Sequence, residues 1–489
     1  MNIWELIAMF LYLALVVGVG IYFFFKGRNS SDGEKDYFLG GRNMNGWVAA
    51  LSAGASDMSA WVLMGLPGAF YLYGMGQVWI SVGLFIGTVT SWIFVAPKLR
   101  RYSIRANDSI TIPQFLTNRF LSKNKALQIV SAIVFVVVYC VYSASSIDAC
   151  GTLFNTVVGM DKGLAMIIAT CVIVVYTFLG GFNAVCWTDF FQGLLMLGAL
   201  MLAPIIAVCT INAPEFVAPE NFFNVLSTGK ADWKSISDII SGLGWGLGYF
   251  GMPHIVVRYI SIKSEKEMKK SQIIGSVWTG IILTMATIVG IVGLKYGIDG
   301  GKSGDLVFIN MVRTVFPAFI GGILLSAILA ASMSTADSQL LASSSAFASD
   351  VYKPVFRKEA SNKEMLWAGR IVVIFIAIVA FFIANNPNSG GIMALVSNAW
   401  AGFGSSFAPV ILLALYWKRL TYSGAVAGIS VGFIVDAIWL YKFAGSTGIY
   451  EIVPGFIAGL VAAVVVSLLT KRPSDEVCAL FDEAKKPVE

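Results

Sequence analysis

A single histidine, His254, in 489 residues excludes a multi-histidine metal centre or a bis-histidine haem. The six cysteines (Cys140, Cys150, Cys171, Cys186, Cys209 and Cys478) make no CxxC pair. Most lie inside apolar runs, where cysteine is a small core residue rather than a disulfide partner or metal ligand. Charge is scarce too: 13% of residues are Asp, Glu, Lys or Arg, against about 25% in a soluble domain. The net charge of +6 is dispersed among polar connections, so nothing points to a nucleic-acid partner. The chain has no Walker loop and no HExxH, which leaves ATP-driven transport and membrane proteolysis without support. No polar stretch is long enough for an enzyme domain, and no enzymatic activity is expected.

What fills the chain instead is apolar. Hydrophobic residues make up 57%, the mean hydropathy is +0.77, and apolar runs of roughly 20 residues recur, the length of a bilayer-spanning helix. The chain is expected to be an all-α, multi-pass membrane protein with thirteen spans, near 5–25, 46–72, 75–97, 126–157, 162–180, 187–211, 236–260, 271–295, 317–349, 365–384, 392–417, 421–441 and 449–470. The first run follows Met1-Asn2-Ile3-Trp4-Glu5 without a basic region, so it reads as a span and not as a cleavable signal. Lys and Arg divide unevenly over alternate connections, 25 on one side and seven on the other, with Arg258 and Arg370 left aside at helix ends. The positive-inside rule then puts the N-terminus outside and the C-terminus in the cytoplasm of a cell-membrane protein. The tail KRPSDEVCALFDEAKKPVE reads as a short amphipathic helix; NSSDGEKD and 212–235 read as polar connections.

Two spans carry breakers at matching places. Span two contains SAGASDMS with the lone carboxylate Asp57, and span seven contains SGLGWGLGYFGMPHI. Glycine costs about 1 kcal/mol and proline about 3 kcal/mol in a helix interior. For either span alone, close helix packing explains the small residues equally well. Together, however, they open two successive five-span groups, the pattern of an inverted-repeat transporter whose unwound helices bind substrate and ion. The chain accordingly divides into 1–45 (first outer helix and loop), 46–211 (first repeat), 212–417 (second repeat with its preceding loop) and 418–489 (two outer helices and tail). Asp57 at mid-membrane would cost about 2.5–3.5 kcal/mol facing lipid, so it is expected to face the bundle interior.

Span nine adds a polar stripe, LLSAILAASMSTADSQLLASSSAFASDVY, in which Ser334, Asp337 and Ser338 share one helix face and Thr335 points elsewhere. Serines here can simply bond back to the preceding turn. Their density also suits a hard cation such as sodium, which takes oxygen ligands. Asp189, in WTDFFQ at the start of span six, is expected to meet Asp337 and Ser338 below that point, as an exit way-station or second cation site. The bland alternative is a helix cap at Asp189 and a loop cation on Asp337.

LGGR, ALSAGASDMS, LMGLPGA, GGFNAVCWTDFFQ, GWGLGYFGMPHI, LLSAILAASMST and AWAGFGSSFAPV together resemble the sodium:solute symporter family, in register from about residue 36 to 470. Within it, the likeness is to members that import proline. The resemblance implies a five-plus-five inverted-repeat core, alternating access and sodium as coupling ion, with no organic cofactor and no obligatory protein partner. It implies sodium ligation by the carbonyls of Ala55, Met58 and Ala331 and the hydroxyls of Ser334 and Thr335, with Asp57 needed for sodium binding. Ser59, Tyr142, Trp245, Tyr249 and Pro253 would serve the substrate, and Arg42 coupling. Proline-carrying members read SDMSG and GYFGQP, whereas Ala60 and Met252 stand here. Another small amino or imino acid, or a sensor built on the same core, remains the alternative.

Overall fold

The computed structural model describes residues 2–27, 39–212 and 215–488. Among these residues the chain is helical apart from turns and one isolated β-bridge, Met44–Ile262. The helices, in order, are α1 (Ile3–Gly27), α2 (Gly46–Asp57), α3 (Ala60–Leu63), α4 (Gly65–Tyr73), α5 (Val78–Thr90), α6 (Ala96–Arg105), α7 (Ile112–Arg119), α8 (Ala126–Val158), α9 (Lys162–Thr210), α10 (Trp233–Gly244), α11 (Pro253–Ser261), α12 (Glu265–Lys295), α13 (Val307–Val315), α14 (Ala318–Ala346), α15 (Asn362–Ala384), α16 (Gly391–Tyr416), α17 (Tyr422–Lys442), α18 (Ala444–Thr447), α19 (Ile452–Leu469) and α20 (Asp475–Glu483). Nine helical stretches among the described residues are long and apolar enough to cross a membrane, and Ile3–Val19 and Lys162–Val175 are shorter apolar helices. The connection NSSDGEKD lies outside the described residues.

The two sets of breakers do break the chain. Asn45 caps α2 by accepting from Val48 N, and the helix stops at Asp57 because Met58 turns out of helical geometry (φ −80°, ψ 65°). Ser59 then caps α3, accepting from Trp61 N. In the other half, α10 tightens into a 3-10 turn over Trp245–Phe250, Met252 extends (φ −70°, ψ 110°), and Pro253 begins α11 in the first helical turn, where its missing N–H costs nothing. Within that turn, Gly246-Leu247-Gly248-Tyr249-Phe250-Gly251 spells G-x-G-x-x-G; it joins two helices and follows no strand, so it is not a dinucleotide fingerprint. The packing explanation also holds for some of these glycines. A Cβ on Gly242 would lie 2.5 Å from Trp79 Cβ, and one on Gly246 2.4 Å from Gly83 O.

Three boundaries differ from expectation. The third segment runs past residue 97 through a π turn (Ser91–Val95) into α6, because Arg100 and Arg101 anchor it beyond the apolar run: Arg100 donates to Ile262 O and Lys263 O, and Arg101 pairs with Glu265. The ninth likewise continues as a π-helical turn to Phe356. In α9 the only internal break is Gly181 (φ 66°, ψ 174°), so Asp189 lies about two turns inside the following helix rather than at its start. The tail forms α20 as expected, with Val477 and Phe481 buried and Arg119 over the Phe481 ring. Burial sorts centre from edge: the most apolar stretches of Ala318–Lys353 and Gly391–Tyr416 are 78% and 83% buried, against 28% for Ile452–Leu469. Helices α2, α9, α11 and α14 pack against one another at that centre.

Candidate functional site

The break after α2 leaves a carboxylate in the core. Asp57 is 2% exposed. Its Oδ2 accepts from the Tyr249 hydroxyl, which comes from the other break. Its backbone carbonyl accepts from Trp61 Nε1 (3.3 Å) and the Tyr142 hydroxyl (3.4 Å). Its Oδ1 is buried with no hydrogen-bond partner. A helix C-terminus favours positive charge, and α2 ends at this residue. Asp57, Tyr142 and Tyr249 are thus brought together.

Aromatic rings close over this point. Trp245 lies 5.9 Å from Trp61, 6.4 Å from Trp400 and 5.1 Å from Tyr450, the last two stacked. Trp400 Nε1 donates to Trp245 O (2.7 Å), and its ring meets Tyr249 edge-on at 5.0 Å. Tyr450, on the turn before α19, donates to Ser397 O (2.6 Å). Ser59 is buried and caps α3. Pro253 faces elsewhere, lining a small cavity with Phe182, Arg258 and Ser338.

The span-nine residues form a second cluster. Ala55, Met58, Ala331, Ser334 and Thr335 are fully buried, and α2 and α3 pack on α14. Thr335 Oγ1 is without a partner, whereas Ser334 donates to Asp189 Oδ1 (2.6 Å). A hydroxyl that donates its proton still has lone pairs for a cation, so this bond orients Ser334 rather than removing it. Asp189 Oδ2 accepts from Ser52 (2.6 Å) and from Arg258 (3.0 Å); Arg258 also donates to Ser338 (2.6 Å), which lies 3.4 Å from Asp337 Oδ1. The expected convergence of Asp189, Asp337 and Ser338 occurs, but with Arg258 among them. Arg42 sits apart, paired to Asp108 (2.7 Å) and bonded to Ser103, Ser109 O and Ile260 O.

Residues 37–432 match the sodium:solute symporter family. The chain belongs to that family. Curated relatives include the osmoregulated proline transporter OpuE of Bacillus subtilis, 42% identical over 97% of this chain and 98% of its own. They also include the high-affinity proline transporter PutP of Bacillus subtilis (45%, over 92% and 95%) and the sodium/proline symporter of Escherichia coli (42%, over 92% and 90%). In fold, the chain is similar to a Na+-coupled sialic acid symporter in a substrate-bound outward-open state (TM-score 0.81, 22% identity, 97% and 99% covered). It is also similar to Mhp1, a nucleobase-cation-symport-1 family transporter, in a closed conformation (TM-score 0.58, 12% identity, 93% and 99% covered). This symporter family member is therefore a multi-pass membrane transporter coupled to sodium, not an enzyme.

Sequence reasoning missed Arg258, Trp400 and Tyr450. Arg258 carried a usable signal, since it falls inside the expected span 236–260, and a charge there is functional by default. Trp400 and Tyr450 carried none, because an aromatic residue in an apolar run does not reveal which neighbour it faces.

Proposed function

We propose that this symporter imports L-proline with sodium by alternating access. The observation that carries the reading is the meeting of two helix breaks at Asp57, a buried carboxylate with one oxygen unpartnered. The substrate is supported by the proline-transporting relatives and by the buried ring set Tyr142, Trp245 and Tyr249, with Ser59, against which a small ring would pack; Pro253, which faces another cavity, shapes the break instead of lining this set. Sodium is taken by the carbonyls of Ala55, Met58 and Ala331 and the hydroxyls of Ser334 and Thr335, with Asp57 supplying negative charge. It ties the break after α2 to α14 and favours the outward-open arrangement. Moving one charge through 100 mV yields about 2.3 kcal/mol, and a tenfold sodium gradient adds about 1.4 kcal/mol. Each sodium carried with a substrate would then contribute a factor of about 500 to accumulation.

The architecture that serves this cycle has thirteen spans, with a five-plus-five inverted-repeat core over 46–211 and 212–417. The segments 1–45 and 418–489 flank it, the N-terminus is outside and the C-terminus cytoplasmic. Arg42, by joining the chain before α2 to the end of α11, links the cytoplasmic face to both breaks and serves coupling. Asp189, Asp337 and Ser338 form a way-station for departing sodium only when Arg258 moves off Asp189. A different small amino or imino acid is the second reading, favoured by Ala60 and by Met252, fully buried beside Pro253.

Uptake of labelled proline into vesicles under an imposed sodium gradient tests the proposal. Uptake should require sodium, and among twenty amino acids proline should compete best. Stronger competition by another solute, a sugar or a nucleobase included, would overturn the substrate and leave the family intact.

A further inference from the structure

Asp57 is counted with the α14 hydroxyls in the reading above, but its side chain leaves α2 on another face. Ala50, Ala53, Gly54 and Asp57 form one stripe, at intervals of three and four residues. Ser52, which bonds to the same Asp189 carboxylate that accepts from Ser334 of α14, is five residues from Asp57, about 140° around the helix. The Asp57 stripe lines a small cavity of about 10 Å³, measured to the centre of a water-sized sphere. Its other walls come from α5 with the π turn, from α11 with the 3-10 turn before it, and from α12; no residue of α14 contributes. That is room for one water-sized particle.

The chemistry of the walls is that of a hard-cation site. Asp57 brings a carboxylate whose Oδ1 has no partner, and Thr88 brings a hydroxyl that is 3% exposed and equally unpartnered. Tyr249, Tyr259 and Thr279 add hydroxyl-bearing side chains, and none of the lining residues is basic. Ser91 fixes two of these walls, donating to Tyr249 O (3.0 Å) and sharing a hydrogen bond with the Tyr259 hydroxyl (3.1 Å). A carboxylate buried without a counter-charge is costly, and a small monovalent ion with oxygen ligands is the species that offsets it here.

We propose that the cavity between Asp57, Thr88, Tyr249 and Thr279 is a sodium site of its own, separate from the hydroxyls of α14. It deepens the sodium-coupled reading and rests on it. Tyr249 gives the site its connection to the substrate: its hydroxyl bonds to Asp57 while its ring meets Trp400. A cation held by Asp57 therefore fixes the ring that faces the aromatic cluster.

Thr88→Val and Thr279→Val test this, because each removes an oxygen while nearly keeping shape. Equilibrium binding of radiosodium to the purified full-length protein, without substrate, is the readout. Each variant should raise the half-saturating sodium concentration of one class of site by about tenfold, and Thr88→Ser should restore it. The number of sodium ions bound at saturation should be two in the wild type. Unchanged sodium binding in both valine variants of a folded protein overturns the site, as does a single sodium per wild-type chain. Binding that responds to pH and not to sodium in the Thr88 variant overturns it too, since the pocket would then hold a protonated carboxyl. Absence of proline uptake with two-site sodium binding intact would sink the substrate reading alone.

Discussion

Asp57 and Asp189 are both buried carboxylates, the first at a helix break and the second about two turns inside a helix, and they sit on opposite sides of α2's packing. Around Asp189 every oxygen is taken: Ser334 on one, Ser52 and the Arg258 guanidinium on the other. Around Asp57 a single hydroxyl, that of Tyr249, reaches one oxygen and leaves the other unpartnered. The same residue type is thus a closed ion pair in one place and an open acceptor in the other. A closed pair holds helices together and has no need of sodium in this arrangement; an open carboxylate in a dry core gains from a cation that comes and goes. On the proposed reading, affinity for the coupling ion depends on Asp57, and integrity of the core around Asp189 depends on its pair with Arg258.

Substitutions at the two carboxylates separate these roles, and the largest effect belongs to the closed pair. Arg258→Met leaves Asp189 buried and unpaired and should cost about 3–5 kcal/mol of stability, seen as a large drop in thermal unfolding temperature in detergent. Combining it with Asp189→Leu should recover much of that loss. Next comes Asp57→Asn, which keeps shape and removes charge. The sodium concentration for half-maximal uptake should rise about 100-fold, roughly 2.7 kcal/mol, with melting temperature little changed. Ser334→Ala and Thr335→Ala should each weaken sodium activation about tenfold, with proline affinity recovering at saturating sodium. Loss of substrate affinity at every sodium concentration would reject them as ligands. Smallest is Tyr450→Phe, which deletes the bond to Ser397 O; a shift of about threefold in proline KM is expected from one neutral hydrogen bond.

Both breaks were legible because their cost is written in residue type: glycine, proline, and a carboxylate among serines declare themselves against an apolar background. The tail helix was legible from its apolar spacing, and Val477 and Phe481 are the residues it buries. The start of the helix carrying Asp189 was misjudged because Gly181 alone turns the chain, with no polar loop to mark it. The Arg258 pair was hidden for a different reason. Its partners lie 206, 69 and 80 positions away, on Ser52, Asp189 and Ser338, and nothing local announces such contacts. The facing of Asp57 was half legible: spacing puts it on the Ala50–Ala53 stripe, but only packing tells that α5 and α12, not α14, lie opposite.

The most direct test compares the two carboxylates in one experiment: radiosodium binding at equilibrium, without substrate, to folded wild type, Asp57→Asn and Asp189→Asn. Asp57→Asn should shift one of the two classes of site to about 100-fold higher sodium, while in the folded fraction of Asp189→Asn both classes should stay within about threefold of wild type. Loss of sodium binding in Asp189→Asn with Asp57→Asn unaffected would contradict the division of roles between them.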